Sequence, residues 1–334
     1  MFNNKTRNQH YISQVEQKLN CINSSIAKEK RRIYQFKALD RESLEYKLSN
    51  EIGVKIENNL SFNDLYSLEI FDDATRDNFE QYFWKLENQI EYLTKEILAN
   101  EQLDKDVLLT LFNAKLMNVI RNPYCIISTI NTYSLFSNYT PTDEYLRKYF
   151  NKISGMKVRD DLIAKFSITE EQYRMWLKIL FYMVVPIKLN NGKTFNFASE
   201  LINRIFDPEK MHLYAAIATH EREVCLLSDR AHVDFSEALP GNNFGYEFNL
   251  TKNAFIHFIF AENSLDNLSK LADIPENLTN IMKKRGINKL QIPSLKIDKF
   301  VNEDSLFRAY NSRVIYQCHT NFYAADKSFL NNRK

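Results

Sequence analysis

Between Arg76 and Asn100 the chain places Phe79, Phe83, Leu86, Ile90, Leu93 and Ile97 at spacings of three and four. A helix turns about 100° per residue, so this spacing gathers the six apolar groups into one stripe that the rest of the chain must cover. Asp72-Asp73-Ala74-Thr75 supplies capping residues just before it. Only 6 glycines and 7 prolines occur in 334 residues. That is too few breaks for a sandwich of many tight turns, and it favours long helices.

The same period continues downstream. Asp104 caps a predicted helix running to about Arg121, and Pro123 opens another over Tyr124 to Ser137. Thr142 to Ser154 and Thr169 to Val185 follow, the latter with Trp176, Leu177, Leu180 and Phe181 as core until Pro186 stops it. Asn190-Asn191-Gly192 is a turn signal, and Phe197 to Phe206 reads as a short helix.

Both flanks differ from this middle. Asn8 to Gln14 is short and extended and leads into a helix over Val15 to Ser25. Arg31 to Leu39 and Leu44 to Ile56 alternate as strands do, and Phe62 to Leu68 is apolar but short. His212 to Ala218, Glu223 to Leu227 and Gly245 to Phe260 read as strands, the last a hairpin through Thr251-Lys252-Asn253. Helices are expected at Leu265 to Leu271, Glu276 to Arg285 and Asp298 to Asn311, before a strand-like run over Arg313 to Ala324. No repeat, low-complexity tract or Gly/Ser linker divides the chain. The expectation is one α+β unit over residues 1–334: a mixed or antiparallel sheet from N- and C-terminal strands, packed on a mostly helical middle of about 72–206.

Charge narrows the function classes. Lys and Arg number 44 against 42 Asp and Glu, a net +2, so no whole-chain field draws it to nucleic acid or acidic lipid. Basic character is local, in Lys28-Glu29-Lys30-Arg31-Arg32, followed by Tyr34 and Phe36, and in Lys283-Lys284-Arg285. Basic groups beside rings hold single strands, yet short charge runs also serve as solvated helix ends. The 4 cysteines lie far apart with no paired spacing, which fits thiols in a reducing compartment. The polar N-terminus and the lack of any apolar run of about 18 residues lead us to expect a cytoplasmic protein without a membrane contact.

Glu223 to Asp229 is a short apolar stretch that ends on Ser228 and Asp229, delivering a hydroxyl and a carboxylate to the rim of a sheet. Around Ser228 there is no Gly-x-Ser-x-Gly elbow, and the glycines never form a phosphate loop. His212, His220 and His232 cluster in sequence with Asp229 and Asp234, but at no metal-ligand spacing. What remains is a carboxylate set with a positive partner. Glu80 and Glu87 are two helical turns apart on nearly the same face, and with Arg121 and Asp229 they could bind a divalent ion, move a proton or balance a phosphate. The alternative is that each charge decorates a solvated face.

Several stretches taken together resemble the domain-of-unknown-function 4238 family of bacterial proteins over most of the chain. They are Gln9-His10-Tyr11-Ile12-Ser13-Gln14, Arg32-Ile33-Tyr34-Gln35-Phe36, Phe79-Glu80 with Lys85-Leu86-Glu87, Leu116 to Tyr124 with its Arg121-x-Pro123, Cys225 to Asp229, Gly245 to Phe260, and Arg308 to Ala325 with Asn311. The chain departs from the family at Ser13, where proline is frequent, and at Arg230-Ala231, where Asn-Pro is. The resemblance implies one connected fold in which His10, Glu80, Glu87, Arg121, Asp229 and Asn311 converge, and it implies no reaction.

The expected function is that of an intracellular bacterial effector, a toxin or phage-defence component acting on nucleic acid or a nucleotide. In that scheme Glu87 and Asp229 hold Mg²⁺ or Mn²⁺ or act as base, Glu80 assists, and Arg121 with His10 faces phosphate. The alternative is a non-catalytic sensor or adaptor that recognises a phage or host component, in which the same polar residues fix the sheet to the helices; a protein partner or a second copy of the chain is an expected partner under either reading.

Overall fold

The structure of the chain is a computed structural model that describes residues 2–70, 76–188, 192–287, 289 and 294–327. The capping residues Asp72 to Thr75 and the turn at Asn190-Asn191 lie outside the described residues.

The fold is α+β, with antiparallel and mixed sheets. One five-stranded sheet comes wholly from the C-terminal part, in the order Val233–Asp234, Phe244–Thr251, Ala254–Glu262, Met211–Thr219 and Leu295–Val301. All its neighbours are antiparallel except Met211–Thr219 with Leu295–Val301, which are parallel. The hairpin through Thr251-Lys252-Asn253 forms as expected. The second sheet joins the two ends of the chain: Leu227–Ser228 pairs with Asn321–Ala324, which pairs with Arg32–Asp40, which pairs with Glu45–Leu48. Phe36 lies opposite Phe322 in register, and their rings stack at 5.2 Å.

The helical middle packs against these sheets. Tyr82, Phe83, Ile90, Leu93 and Ile97 are buried on helix Glu80–Ala99, which lies on helix Lys105–Ile120. From Lys105–Ile120, Phe112 reaches the first sheet, with Phe258 and Phe260 at 5.1 and 4.9 Å. Helix Glu170–Val184, closed by a Thr169/Gln172 capping box, is buried from Ile179 through Val184 because Ile126–Ser137, Glu144–Gly155 and Phe197–Ile205 all pack on it. A buried ion pair ties helix Gln14–Leu19 to this frame. Lys115 Nζ donates to Glu16 Oε1 at 2.5 Å and to the Asn249 carbonyl at 2.7 Å, and Asn118 Nδ2 donates to Glu16 Oε2.

Several local expectations give way to tertiary contacts. The long amphipathic helix begins at Glu80. Arg76–Asn78 is instead a strand between Asn3–Asn4 and Ser67–Ile70, and Asn78 Oδ1 accepts the Glu80 N–H. Leu44 to Ile56 divides into Glu45–Leu48 and Val54–Lys55, with Gly53 at a φ of 71° where a Cβ would lie 2.8 Å from the Ile33 carbonyl oxygen. The helix after Val15 ends at Leu19, and Asp160–Phe166 is a helix with no counterpart in the sequence reading. Within Asp298 to Asn311, the first part is the strand Leu295–Val301, Asn302 turns at a φ of 59°, and the helix runs over Asp304–Gln317. Only Leu227–Ser228 of the expected Glu223 to Leu227 strand pairs in a sheet. Elsewhere in the stretch the Cys225 N–H donates to the Lys252 carbonyl at 2.8 Å, Asn311 Oδ1 accepts the Leu226 N–H at 3.0 Å, its Nδ2 donates to the Val224 carbonyl at 2.8 Å, and Tyr310 Oη donates to the Leu226 carbonyl.

The four cysteines are buried and unbridged. Among the described residues no helix is long and apolar enough to cross a membrane.

Candidate functional site

Arg121 caps the C-terminus of helix Lys105–Ile120 and is 1% exposed. A guanidinium at that depth needs compensation. It lies 4.7 Å from the centre of the Phe83 ring, and Nη2 sits 2.6 Å from Glu87 Oε1. Its Nε has no hydrogen-bond partner among the described residues. The Arg121 carbonyl accepts the Tyr66 hydroxyl at 2.9 Å, and the Tyr66 ring stands edge-on to Phe83 at 4.9 Å. Phe83 and Glu87 are four residues apart, so one turn of helix presents both to Arg121.

Glu80 opens the same helix. Burial raises its pKa to about 8, against the pull of Arg121 and with Glu87 adding to the rise. The residue is half-buried as a whole, but its Oε1 is sealed from solvent and has no partner. His10 ends the strand Asn8–His10 and lies 3.3 Å from Gln14 Nε2. Burial lowers its pKa to about 4; backbone groups of Ile56 and Glu57 oppose this and the Arg121 charge adds to it. Of the sequence-predicted residues, His10, Glu80 and Glu87 each feel the Arg121 charge, and Glu80 also feels that of Glu87. Tyr66 was not foreseen. The only trace in the sequence is an aromatic in the short apolar stretch Phe62 to Leu68.

Asp229 is also buried, but its carboxylate is turned to the chain end. Oδ1 accepts the His319 N–H at 2.6 Å, and Oδ2 accepts those of Thr320 and Asn321 at 2.8 Å each. Burial raises its pKa, and the three N–H groups hold that rise back. Its connection to the Arg121 region runs through the backbone: Asn122 Nδ2 donates to the Asp229 carbonyl at 2.8 Å. Tyr11, next to His10, meets Tyr124 edge to face at 5.6 Å, and Tyr124 stacks on His319 at 4.2 Å. Ser228 Oγ accepts the Arg230 N–H, and Asn311 braces residues 224–226. Ser228, Asp229 and Asn311 thus hold backbone, while the Arg121 cluster keeps polar atoms to spare.

Among the described residues no group of three or more His, Cys, Asp or Glu side chains is placed to hold a metal. His220 Nε2 is 2.7 Å from Asp304 Oδ1, and His232 Nδ1 is 3.0 Å from the Arg230 carbonyl. Part of the first basic run is engaged internally, with Arg31 Nε donating to the Ile26 carbonyl and Arg32 Nη1 to that of Gly53. In the second run, Lys283 pairs with Asp266. Comparison of the chain with protein-family models, with curated proteins and with solved structures finds no match.

Proposed function

We propose that this chain is an acid–base enzyme acting on nucleic acid or a nucleotide at the cluster of His10, Glu80, Glu87 and Arg121, and that it serves as an intracellular bacterial effector of the toxin or phage-defence kind. One observation carries the reading. Around a single buried guanidinium, a carboxyl is held protonated at neutral pH and an imidazole is held neutral, so that one can give a proton and the other can take one. The Arg121 guanidinium, with its Nε unpartnered among the described residues, suits a phosphate oxygen, and Glu87, 2.6 Å from Nη2, keeps it in place. Glu80 is the general acid in this scheme and His10 the base. The stretches that resemble the domain-of-unknown-function 4238 family at His10, Glu80 to Glu87 and Arg121 supply this cluster, and that resemblance implies no reaction of its own. Mg²⁺ or Mn²⁺ belongs to the proposal as an addition to be tried, since both Asp229 oxygens are taken by N–H groups and Glu87 faces Arg121.

For Ser228, Asp229 and Asn311 the backbone contacts favour the second reading, a sensor or adaptor whose polar network is structural. The two are separated by incubating purified protein with RNA, DNA and free nucleotides, with and without Mg²⁺ or Mn²⁺. Wild type is expected to release product, and Glu80→Gln to lower the rate by about 10²- to 10⁴-fold with melting unchanged. Absence of product from every substrate, or full activity in Glu80→Gln, overturns the enzyme reading.

A further inference from the structure

A cleft of about 500 Å³ opens between the turn at Asp64 to Leu68 and the connection Gly155 to Arg159 that follows helix Glu144–Gly155. That volume falls in the range of small-ligand sites. Tyr66, which touches Arg121, belongs to the same turn but does not line the cleft. Its walls carry three cations, Lys152, Lys157 and Arg159, against one carboxylate, Asp64.

The cations differ in their freedom. Arg159 is fixed in place: Nη1 donates to the Asn63 carbonyl at 2.7 Å and lies 3.9 Å from Asp64, while Nε and Nη2 hold Asp161 at 3.0 and 2.5 Å. Lys152 Nζ reaches Asp77 at 3.1 Å. Lys157 is exposed and forms no ion pair among the described residues. The floor is apolar, built from Val158, Leu162 and the buried ring of Tyr173, whose hydroxyl is spent on the Leu65 carbonyl at 2.6 Å.

An exposed ammonium beside two cations already held by carboxylates, over an apolar floor, suits an oxyanion attached to a flat apolar body. We propose that this cleft binds the phosphomonoester of a nucleotide, with the base on the Tyr173 floor. The phosphate can come from a free mononucleotide or from the 5′-end of an oligonucleotide. The inference goes beyond the Arg121 cluster, because binding here requires no turnover.

The test is equilibrium binding of AMP, of a 5′-phosphorylated tetranucleotide and of its 5′-hydroxyl counterpart to wild type, Lys157→Glu and Glu80→Gln. At least one phosphorylated probe is expected to bind and the 5′-hydroxyl probe to bind at least about tenfold more weakly. Lys157→Glu is expected to weaken binding by about tenfold or more with unchanged melting, because this side chain is exposed and breaks no ion pair on replacement. Binding of AMP assigns a free nucleotide, and binding of the phosphorylated oligomer alone assigns a chain end. Glu80→Gln is expected to bind as wild type does, so a dead enzyme that still binds leaves this proposal standing. No binding of either phosphorylated probe at millimolar concentration, or an affinity untouched by Lys157→Glu, overturns it.

Discussion

Glu80 and His10 titrate in opposite senses around Arg121, and the two shifts bound the pH range in which the cluster can work. Glu80 has its folded pKa raised to about 8, so the stability its buried acid form contributes is present at low pH and is lost as pH rises through that value. His10 has its folded pKa lowered to about 4, so its contribution is present above the ordinary imidazole pKa of 6.5 and is lost as pH falls toward 4. If Glu80 gives the proton and His10 takes one, the rate against pH is a bell with limbs near 4 and 8. A rate still climbing at pH 9 removes Glu80 from the role of acid. In thermal melts, Glu80→Gln is expected to flatten the alkaline fall in melting temperature and His10→Gln the acid one.

Asp229 shows how little a residue's position in the chain says about its employment. Its place at the end of an apolar run is plain in the sequence, but the three N–H groups it accepts belong to residues ninety positions later. Asp229→Ala leaves three part-buried donors without their acceptor, and we expect it to cost about 1–3 kcal/mol in urea unfolding. Asp229→Asn keeps an acceptor oxygen and is expected to cost less. Equal and small losses in both variants would remove the bracing role.

At the scale of elements, periodicity was legible wherever a face meets a single partner. The stripe on helix Glu80–Ala99, the Asp104 cap, and the hairpin at Lys252 all stand where the sequence predicts. It failed at Arg76–Asn78, where pairing with Asn3–Asn4 outweighs helix continuation, and at residues 223–226, where Asn311 and Tyr310 take over the role of a neighbouring strand. The Glu16–Lys115 pair joins two helices and the Asn249 strand in a way no local pattern reveals. Removing one partner, as in Lys115→Met, is expected to cost about 3–5 kcal/mol by stranding the other charge. The double variant Glu16→Leu with Lys115→Met is expected to lose less than the two single variants together. Additive losses in denaturant melts would show that the two charges are not coupled.

At the scale of the molecule, the second sheet closes the chain on itself, since Arg32–Asp40 has Asn321–Ala324 as one neighbour and Glu45–Leu48 as the other. Ending the chain after Gln317 removes that strand, uncovers Phe36 and takes away all three donors to Asp229. Such a chain is expected to lose cooperative unfolding; a truncated protein with the wild-type melting curve would show that the closure is dispensable.

By itself, the sequence determined most of the helices of the middle, that strands lie at both ends of it, and that two glutamates share a helix face, because these follow from side-chain period and capping within a few turns of chain. Only the tertiary structure decided which polar groups meet. Burial of Arg121 against Phe83 and Glu87, the shifted protonation of Glu80 and His10, and the engagement of Asp229 with residues 319–321 arise from desolvation and hydrogen bonds between segments far apart in sequence.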